Sequence, residues 1–585
     1  MKLSSGFYNC LRANFLRRRL TSRSNSILSS GAASRRGTGT DAMAGAADDY
    51  ASWSKENLIE KLRETEGQLR ARQSAQPVAA AAAAAGPAAK RKQQKRIDPS
   101  MYSTRHIALK FAYLGKNYGG LEYADSGVLP SIESELWKAL TKACLVFPPA
   151  GQDPDAVDFS CCDYSKCGRT DRGVSAFGQV VALRVRSSRP TEERRRRAQE
   201  KERARLEKEG KGGEAATQAG KQKQGQAEEE EEKEWDPIAD ELCYPRLLNK
   251  ILPKDIRVLA WCPAPSPDFS ARFSCVERRY RYFFTQPAVL PLPARDSGDY
   301  QQQQQQPAAW LDLDAMRDAA ARFEGEHDFR NFCKVDAGKA MTDFRRKILS
   351  ATIEEVPHAE SPLPVVSQSA GAAEGGGGGP HPKVYCFYVR GTAFLWHQIR
   401  HMVAVLFLVA QGLEAPEVVT RLLDHGAEPR KPVYNMADDA PLVLWDCVFR
   451  GGGEEGGLDW IYADDDGSTV GLLQSSWALW RERKMDEVLS TGFMNVASGR
   501  DPSARLQADK KGGGGTGAAS FRVFEGGDAA RSVGKYTPLM KRARMETVEE
   551  QNDKYAKRKG FADAEDMRRQ RTAKWEEENG GGGDE

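Results

Sequence analysis

Residues 166–180 read KCGRTDRGVSAFGQV, and their middle sets one carboxylate, Asp171, between Arg169 and Arg172 and between Gly168 and Gly173. A carboxylate beside cations favours its ionised form. Flanking glycines let backbone approach a bulky ligand. These residue types suit a nucleophile or base held at a phosphate-bearing substrate. By spacing alone they equally suit an ordinary turn with a solvated salt bridge.

Two further stretches could carry chemistry. ERRYRYFF interleaves Arg278, Arg279 and Arg281 with Tyr280, Tyr282 and Phe283. On a strand, Arg279, Arg281 and Phe283 share one face, and Tyr280, Tyr282 and Phe284 the other. Arginines hold phosphates and aromatic rings stack on bases, so this is a candidate nucleic-acid surface or an amphipathic strand with a core face. HQIRH, residues 397–401, has two histidines at i and i+4, the spacing of a zinc-peptidase helix. Gln398 stands where that chemistry needs a general-base Glu, and a neutral amide cannot accept the proton. Arg400 opens a very apolar helix, so it either has a buried anionic partner or snorkels to water.

The elements that must position these residues are legible in outline. RHIALKFAYLG reads as a strand. LPSIESELWKALTKACLV reads as a helix with Ser131 as N-cap, Glu133 and Glu135 in the first turn, and Ile132, Leu136 and Leu140 in one apolar row. QVVALRVRS and KVYCFYVRG read as strands. A helix is expected near Leu313 to Glu324, and another across TAFLWHQIRHMVAVLFLVAQG, closed by Gly412. This order predicts an α+β protein with a mostly antiparallel sheet and helices on one side.

Composition bounds the rest. The chain has 585 residues and a formal net charge of +4, so a nucleic-acid partner would need local basic surfaces. Its 11 cysteines form no CxxC pair, and the cluster Cys161, Cys162 and Cys167 has no second half with zinc-finger spacing, which reads as a reduced intracellular protein. The longest apolar run, Met402 to Ala410, has nine residues and is too short to span a membrane.

Residues 1–45 read as an organelle transit peptide or a disordered basic tail, since the first 40 residues carry seven arginines and no acid. Residues 46–75 hold a short coiled-coil seam of Leu58, Leu62, Thr65 and Leu69. A linker occupies 76–100. The catalytic region then divides into 101–262, with a charged insert at 187–236, and 263–450, with inserts at 286–308 and 357–381. Residues 451–585 form an extension with a basic helix near 536–575, where seven Lys and Arg fall between Lys541 and Lys559.

Taken together, CGRTDRGVSAFGQV, FSARFSCVERRYRYFF and GTAFLWHQIRHMVAVLF resemble the three motifs of the TruA family of tRNA pseudouridine synthases. YSKCGRTDRGVSAFGQV, LNKILPKDIRVLAWCP, GEHDFRNFCKVD, PLVLWDCVF and KYTPLM are similar to the eukaryotic branch acting at tRNA positions 38 and 39. Gly168, Ser175 and Phe177 argue against the sister branch acting at positions such as 27 and 28. Trp396-His397 departs from the commoner His pair.

The resemblance implies two ferredoxin-like halves with joined sheets, tRNA in a basic cleft between them, a homodimer, no cofactor and no metal. It implies that Asp171 is the catalytic nucleophile, that Tyr280 stacks on the target base, and that Arg169 helps to flip it. It also implies that Arg400 pairs with the catalytic carboxylate, with Arg279 and Arg281 as substrate contacts. The rival is a non-catalytic RNA-binding protein of this fold, which the presence of Asp171, Arg169, Tyr280 and Arg400 together argues against. Its localisation would be cytoplasm or nucleus, with mitochondrial or plastid targeting through residues 1–40 if the leader is real.

Overall fold

The structure is a computed structural model. It describes residues 97–579, with breaks at 125–126, 150, 152–155, 211–234, 290–309, 357–382, 451–456, 463–469, 499–520 and 534. The expected leader, the coiled-coil seam, the Gln tract at 301–306 and the Gly-rich stretch at 370–379 lie outside the described residues.

The strands are β1 (Tyr102–Tyr113), β2 (Ser165–Lys166), β3 (Ser175–Pro190), β4 (Ile256–Cys262), β5 (Cys275–Gln286), β6 (Gly325–Asp328), β7 (Arg345–Glu355), β8 (Lys383–Gly391), β9 (Leu442–Phe449) and β10 (Ile461–Tyr462). They form one sheet in the order β10-β4-β1-β3-β9-β5-β8-β7-β6, with β2 added to β3. Every neighbouring pair is antiparallel except β3 and β9, which meet in parallel at Ser175↔Val443 and Ala176↔Leu444. The strands before residue 263 thus lie on one side of that junction, joined there by β10, and the other strands after residue 263 lie on the other.

Helices cover the sheet: α1 (Ile132–Lys142), α2 (Glu192–Gly210), α3 (Tyr244–Asn249), α4 (Leu313–Ala321), α5 (Gln398–Ala410) and α6 (Glu417–Leu423). The extension adds α7 (Val470–Ser498), the small hairpin β11 (Phe521–Val523) and β12 (Arg531–Val533), α8 (Val548–Arg558) and α9 (Ala564–Asn579). No described helix is long and apolar enough to cross a membrane.

Local chemistry explains the elements that matter. Ser131 caps α1 by accepting from Ser134 N at 3.1 Å, and Ser134 Oγ accepts in return from Ser131 N. Ile132, Leu136 and Leu140 are buried, as the apolar row requires. Every residue of α5 is buried, so it is a core helix rather than an amphipathic one. Gly412 follows it at φ +67°, in the left-handed turn that ends such helices.

Two expectations need correction. α5 begins only at Gln398, because His397 sits at φ +60° and Thr392 to Trp396 form an irregular approach. Strand β3 runs on to Pro190, inside the stretch expected to be insert, because its long pairing with β1 continues to Tyr102↔Pro190. Part of that insert is also ordered as α2.

Candidate active site

The loop between β2 and β3 is fixed from both ends. Gln179, fully buried on β3, clasps Gly168: its Oε1 accepts from Gly168 N at 3.1 Å and its Nε2 donates to Gly168 O at 3.0 Å. Thr170 is buried, its hydroxyl 2.6 Å from that of Tyr113, and its carbonyl accepts from Leu121 N. Gly173 turns the chain at φ +81°, and a Cβ there would collide with the carboxylate of Asp439. Only glycine meets both demands.

Asp171 projects from this turn with its side chain 26% exposed. Trp396 Nε1 donates to its Oδ1 at 3.2 Å, and His397 Nε2 lies 3.5 Å from its Oδ2. Burial raises the pKa of Asp171; Arg400, the Trp396 bond and Lys334 act against that rise, while Asp439 adds to it. The cations that act on Asp171 therefore come from distant sequence. Its neighbours Arg169 and Arg172 are exposed, and Arg169 reaches Glu122 at 3.6 Å instead.

Arg400 is buried at the start of α5. Its Nε donates to Ala437 O at 2.8 Å, and its Nη2 lies 3.6 Å from Asp439 Oδ2. The ion pair within 4 Å is thus with Asp439, and Arg400 acts on Asp171 through its field. Burial also raises Asp439, with Arg400 opposing.

His397 is pushed down to about 4, first by burial and then by Arg400, Lys334 and Lys431. It is therefore a neutral imidazole, and its Nδ1 is buried without a hydrogen-bond partner. His401 turns away to Lys431, 3.1 Å from its Nε2, so the two histidines do not converge as a metal-binding pair would.

Strand β5 alternates as its sequence requires. Tyr280, Tyr282 and Phe284 are buried on one face, and the Tyr280 ring packs edge-on against Phe394 at 5.1 Å. On the other face, Arg279 is tied to Glu277 at 2.7 Å, which also holds Arg390. Arg281 lies over the Trp445 ring at 3.8 Å, beside Tyr388, and Phe177 and Phe283 pack on the same indole. Among the described residues, neither Arg279 nor Arg281 makes an ion pair with Asp171. The structure therefore gathers Asp171 and Arg400 around one point, leaves Arg169 at the exposed rim, and puts Tyr280 opposite the two arginines across the strand.

Sequence reasoning missed Asp439, Trp396 and Arg278 as members of this neighbourhood. Arg278 Nη2 donates to Cys167 O at 3.1 Å and to Arg272 O at 3.0 Å, and its Nη1 donates to Thr392 O at 2.8 Å, which ties the loop to β5 and the end of β8. Trp396-His397 was visible as a departure from the family motif; nothing in the spacing pointed to Asp439.

Residues 319–450 match the tRNA pseudouridine synthase family. A tRNA pseudouridine(38/39) synthase of Saccharomyces cerevisiae is 34% identical over 538 residues, covering 89% of this chain and 95% of that protein. The tRNA pseudouridine(38/39) synthase of Mus musculus is 37% identical over 389 residues, 66% of this chain and 63% of that protein, so the match spans less than two thirds of the mouse protein's length. A tRNA pseudouridine synthase A of Methanothrix thermoacetophila is 27% identical over 57% of this chain and 82% of its own. The glycine-bounded Asp171 loop, the β3–β9 junction beside it and a yeast relative matched over nearly its whole length lead to one conclusion: the chain belongs to the TruA-type tRNA pseudouridine synthase family.

Proposed function

We propose that this protein isomerises uridine to pseudouridine at positions 38 and 39 of the tRNA anticodon arm, with Asp171 as the catalytic carboxylate. The observation that carries the reading is the setting of Asp171: partly buried, held by an indole N–H, and facing the field of Arg400. The names of the yeast and mouse relatives support the positions.

The chemistry suits one carboxylate. Breaking C1′–N1 of uridine builds positive charge on the sugar, which Asp171 meets either by attacking C1′ or by taking the C2′ proton. The uracil, detached but retained, rotates and bonds through C5 to C1′. C5 then loses its proton and N1 gains one, so no atom is lost overall. The base must leave its stack first, and Tyr280, whose ring packs edge-on against Phe394, is the aromatic that replaces the lost stacking. Arg169, exposed and 3.6 Å from Glu122, helps to flip the uridine, and the Arg281–Trp445 face offers phosphate and stacking contacts.

A homodimer goes with this reading. It is supported by the exposed Leu473, Trp477, Leu489 and Phe493 of α7, and sedimentation of the full chain tests it. The activity belongs in the cytoplasm or nucleus; a fusion of residues 1–45 to a fluorescent reporter tests whether the basic leader sends it to an organelle.

The deciding experiment incubates unmodified tRNA with the wild type and with Asp171→Ala and maps pseudouridine base by base. Product at 38 and 39 from the wild type alone is expected. Equal product from the variant ends the assignment of Asp171, and product at 27 or 28 instead moves the specificity to the sister branch.

A further inference from the structure

Three sulfurs meet where the catalytic loop begins. Cys167 immediately precedes Gly168, Cys275 heads β5 and Cys447 lies on β9; all three are buried, with their sulfur atoms within 4.8 Å of one another. They are 108 and 172 residues apart in the chain, so no spacing motif announces them. The sheet brings them together. Cys447 pairs with Arg278 across β9 and β5, and Cys275 pairs with Phe449 on the same ladder. The Cys167 N–H donates to Val180 O on β3, the strand on the other side of β9.

A cation completes the group. Arg278 donates to three carbonyl oxygens, those of Cys167, Arg272 and Thr392, and no carboxylate forms an ion pair with it among the described residues. A half-buried guanidinium held by carbonyls alone still favours a nearby negative charge. Its bond to the Cys167 carbonyl sets it beside the three thiols.

The charge balance then selects the ligand class. Three thiolates around a divalent ion carry a net charge of −1, and Arg278 brings the set to zero. Zinc–sulfur bonds of about 2.3 Å put the sulfurs of a tetrahedral site roughly 3.8 Å apart, a spacing that lies inside the 4.8 Å within which these three sulfurs already stand. We propose that Cys167, Cys275 and Cys447 form a structural thiolate site for a thiophilic divalent cation of the zinc class. A fourth position remains for an oxygen, and the Glu277 carbonyl already stands 3.3 Å from Cys275 Sγ. Binding releases the thiol protons to solvent, so affinity rises with pH. The ion ties the residue before the catalytic loop to two strands of the C-terminal half. This site lies beyond the tRNA chemistry proposed above and stands or falls independently of it.

The test uses the full chain, reduced, stripped of metal with a chelator and titrated with Co2+ and then Zn2+. One equivalent of Co2+ is expected to give a sulfur-to-cobalt charge-transfer band that Zn2+ abolishes. Zinc-edge X-ray absorption of the wild type is expected to count three sulfurs at about 2.3 Å. Cys447→Ser is expected to lose the band, and Cys161→Ser, at an exposed thiol, to keep it. The proposal is overturned by a folded wild type that gives no band at one equivalent, by an absorption spectrum with fewer than three sulfurs, or by a full band in Cys447→Ser. Should Cys447→Ser fail to fold by circular dichroism, the wild-type sulfur count decides alone.

Discussion

The indole of Trp396 donates to Asp171 across 225 residues of sequence, Nε1 to Oδ1 at 3.2 Å. That bond favours the ionised carboxylate, whereas burial opposes it. Trp396→Phe keeps most of the ring and removes the donor. Because the indole is 43% exposed, water screens part of the effect, and a roughly tenfold fall in single-turnover rate is expected. The acidic limb of the pH–rate profile should move to higher pH. A slower variant with an unmoved limb would mean that the indole positions RNA and leaves the carboxylate alone.

Asp171 has a second signature, in stability. Its folded-state pKa is raised, so the folded protein binds more protons than the unfolded chain in the window just above the ordinary carboxylate value. Stability contributed by the protonated form is lost as pH rises through that window. Asp171→Asn removes the buried charge and should melt no lower than the wild type at neutral pH, while activity falls on the order of 10⁴-fold. Calorimetry beside the tRNA assay checks both; a clearly lower melting point would show that the charge is stabilising.

His397 and His401 act in the opposite sense. Burial holds them neutral, with values pushed down to about 4 and about 2 from an ordinary 6.5. The unfolded chain therefore takes up protons below about pH 6.5 that the folded protein refuses, and stability falls as pH drops from there. Urea unfolding at pH 7.5, 6.0 and 5.0 should show a falling midpoint, and His397→Gln should flatten the slope. Parallel slopes in the two proteins would remove His397 from the account.

Gly173→Ala tests the shape of the loop. The positive φ alone costs an L-residue roughly 1–2 kcal/mol, and the added methyl strikes the Asp439 carboxylate. Lower stability together with a loss of activity is expected, since Asp439 must shift on Arg400. Wild-type unfolding in urea would contradict this reading of the turn.

Arg281 on β5 and Arg400 on α5 should separate kinetically. Arg281→Ala removes a guanidinium stacked on Trp445 and should raise KM for tRNA and reduce the salt slope by about 1, with kcat nearly unchanged. Arg400→Lys keeps the charge but loses the donor to Ala437 O and the geometry toward Asp439, so kcat should fall while KM holds. Stopped assays at several salt concentrations distinguish the two patterns.

Local patterns in the sequence foretold local structure well. The Ser131 cap, the alternation along β5 and the turn at Gly412 each depend on residues within a few positions. The motifs pointed to Asp171 and Arg400, but the structure sets Arg400 in an ion pair with Asp439 and lets it act on Asp171 only through its field. What the sequence hid is set by β9, whose parallel placement beside β3 delivers Asp439 and Cys447 to the loop. A parallel strand carries no local signal of its neighbour. The irregular approach to α5 was hidden for a related reason: Trp396 and His397 leave the helical pattern to reach a carboxylate elsewhere in the chain.

The short parallel junction also has a temporal consequence. Asp171 precedes it on one side and Asp439 on the other, roughly 270 residues later in the chain. At a synthesis rate of about 5–20 residues per second, the first emerges from the ribosome some tens of seconds before the second. Until residues 396–449 have been made, the loop lacks Trp396, Arg400, Asp439 and the strand beside it. A growing chain thus carries the Asp171 carboxylate early and gains the strand and side chains that surround it only once Phe449 has been made.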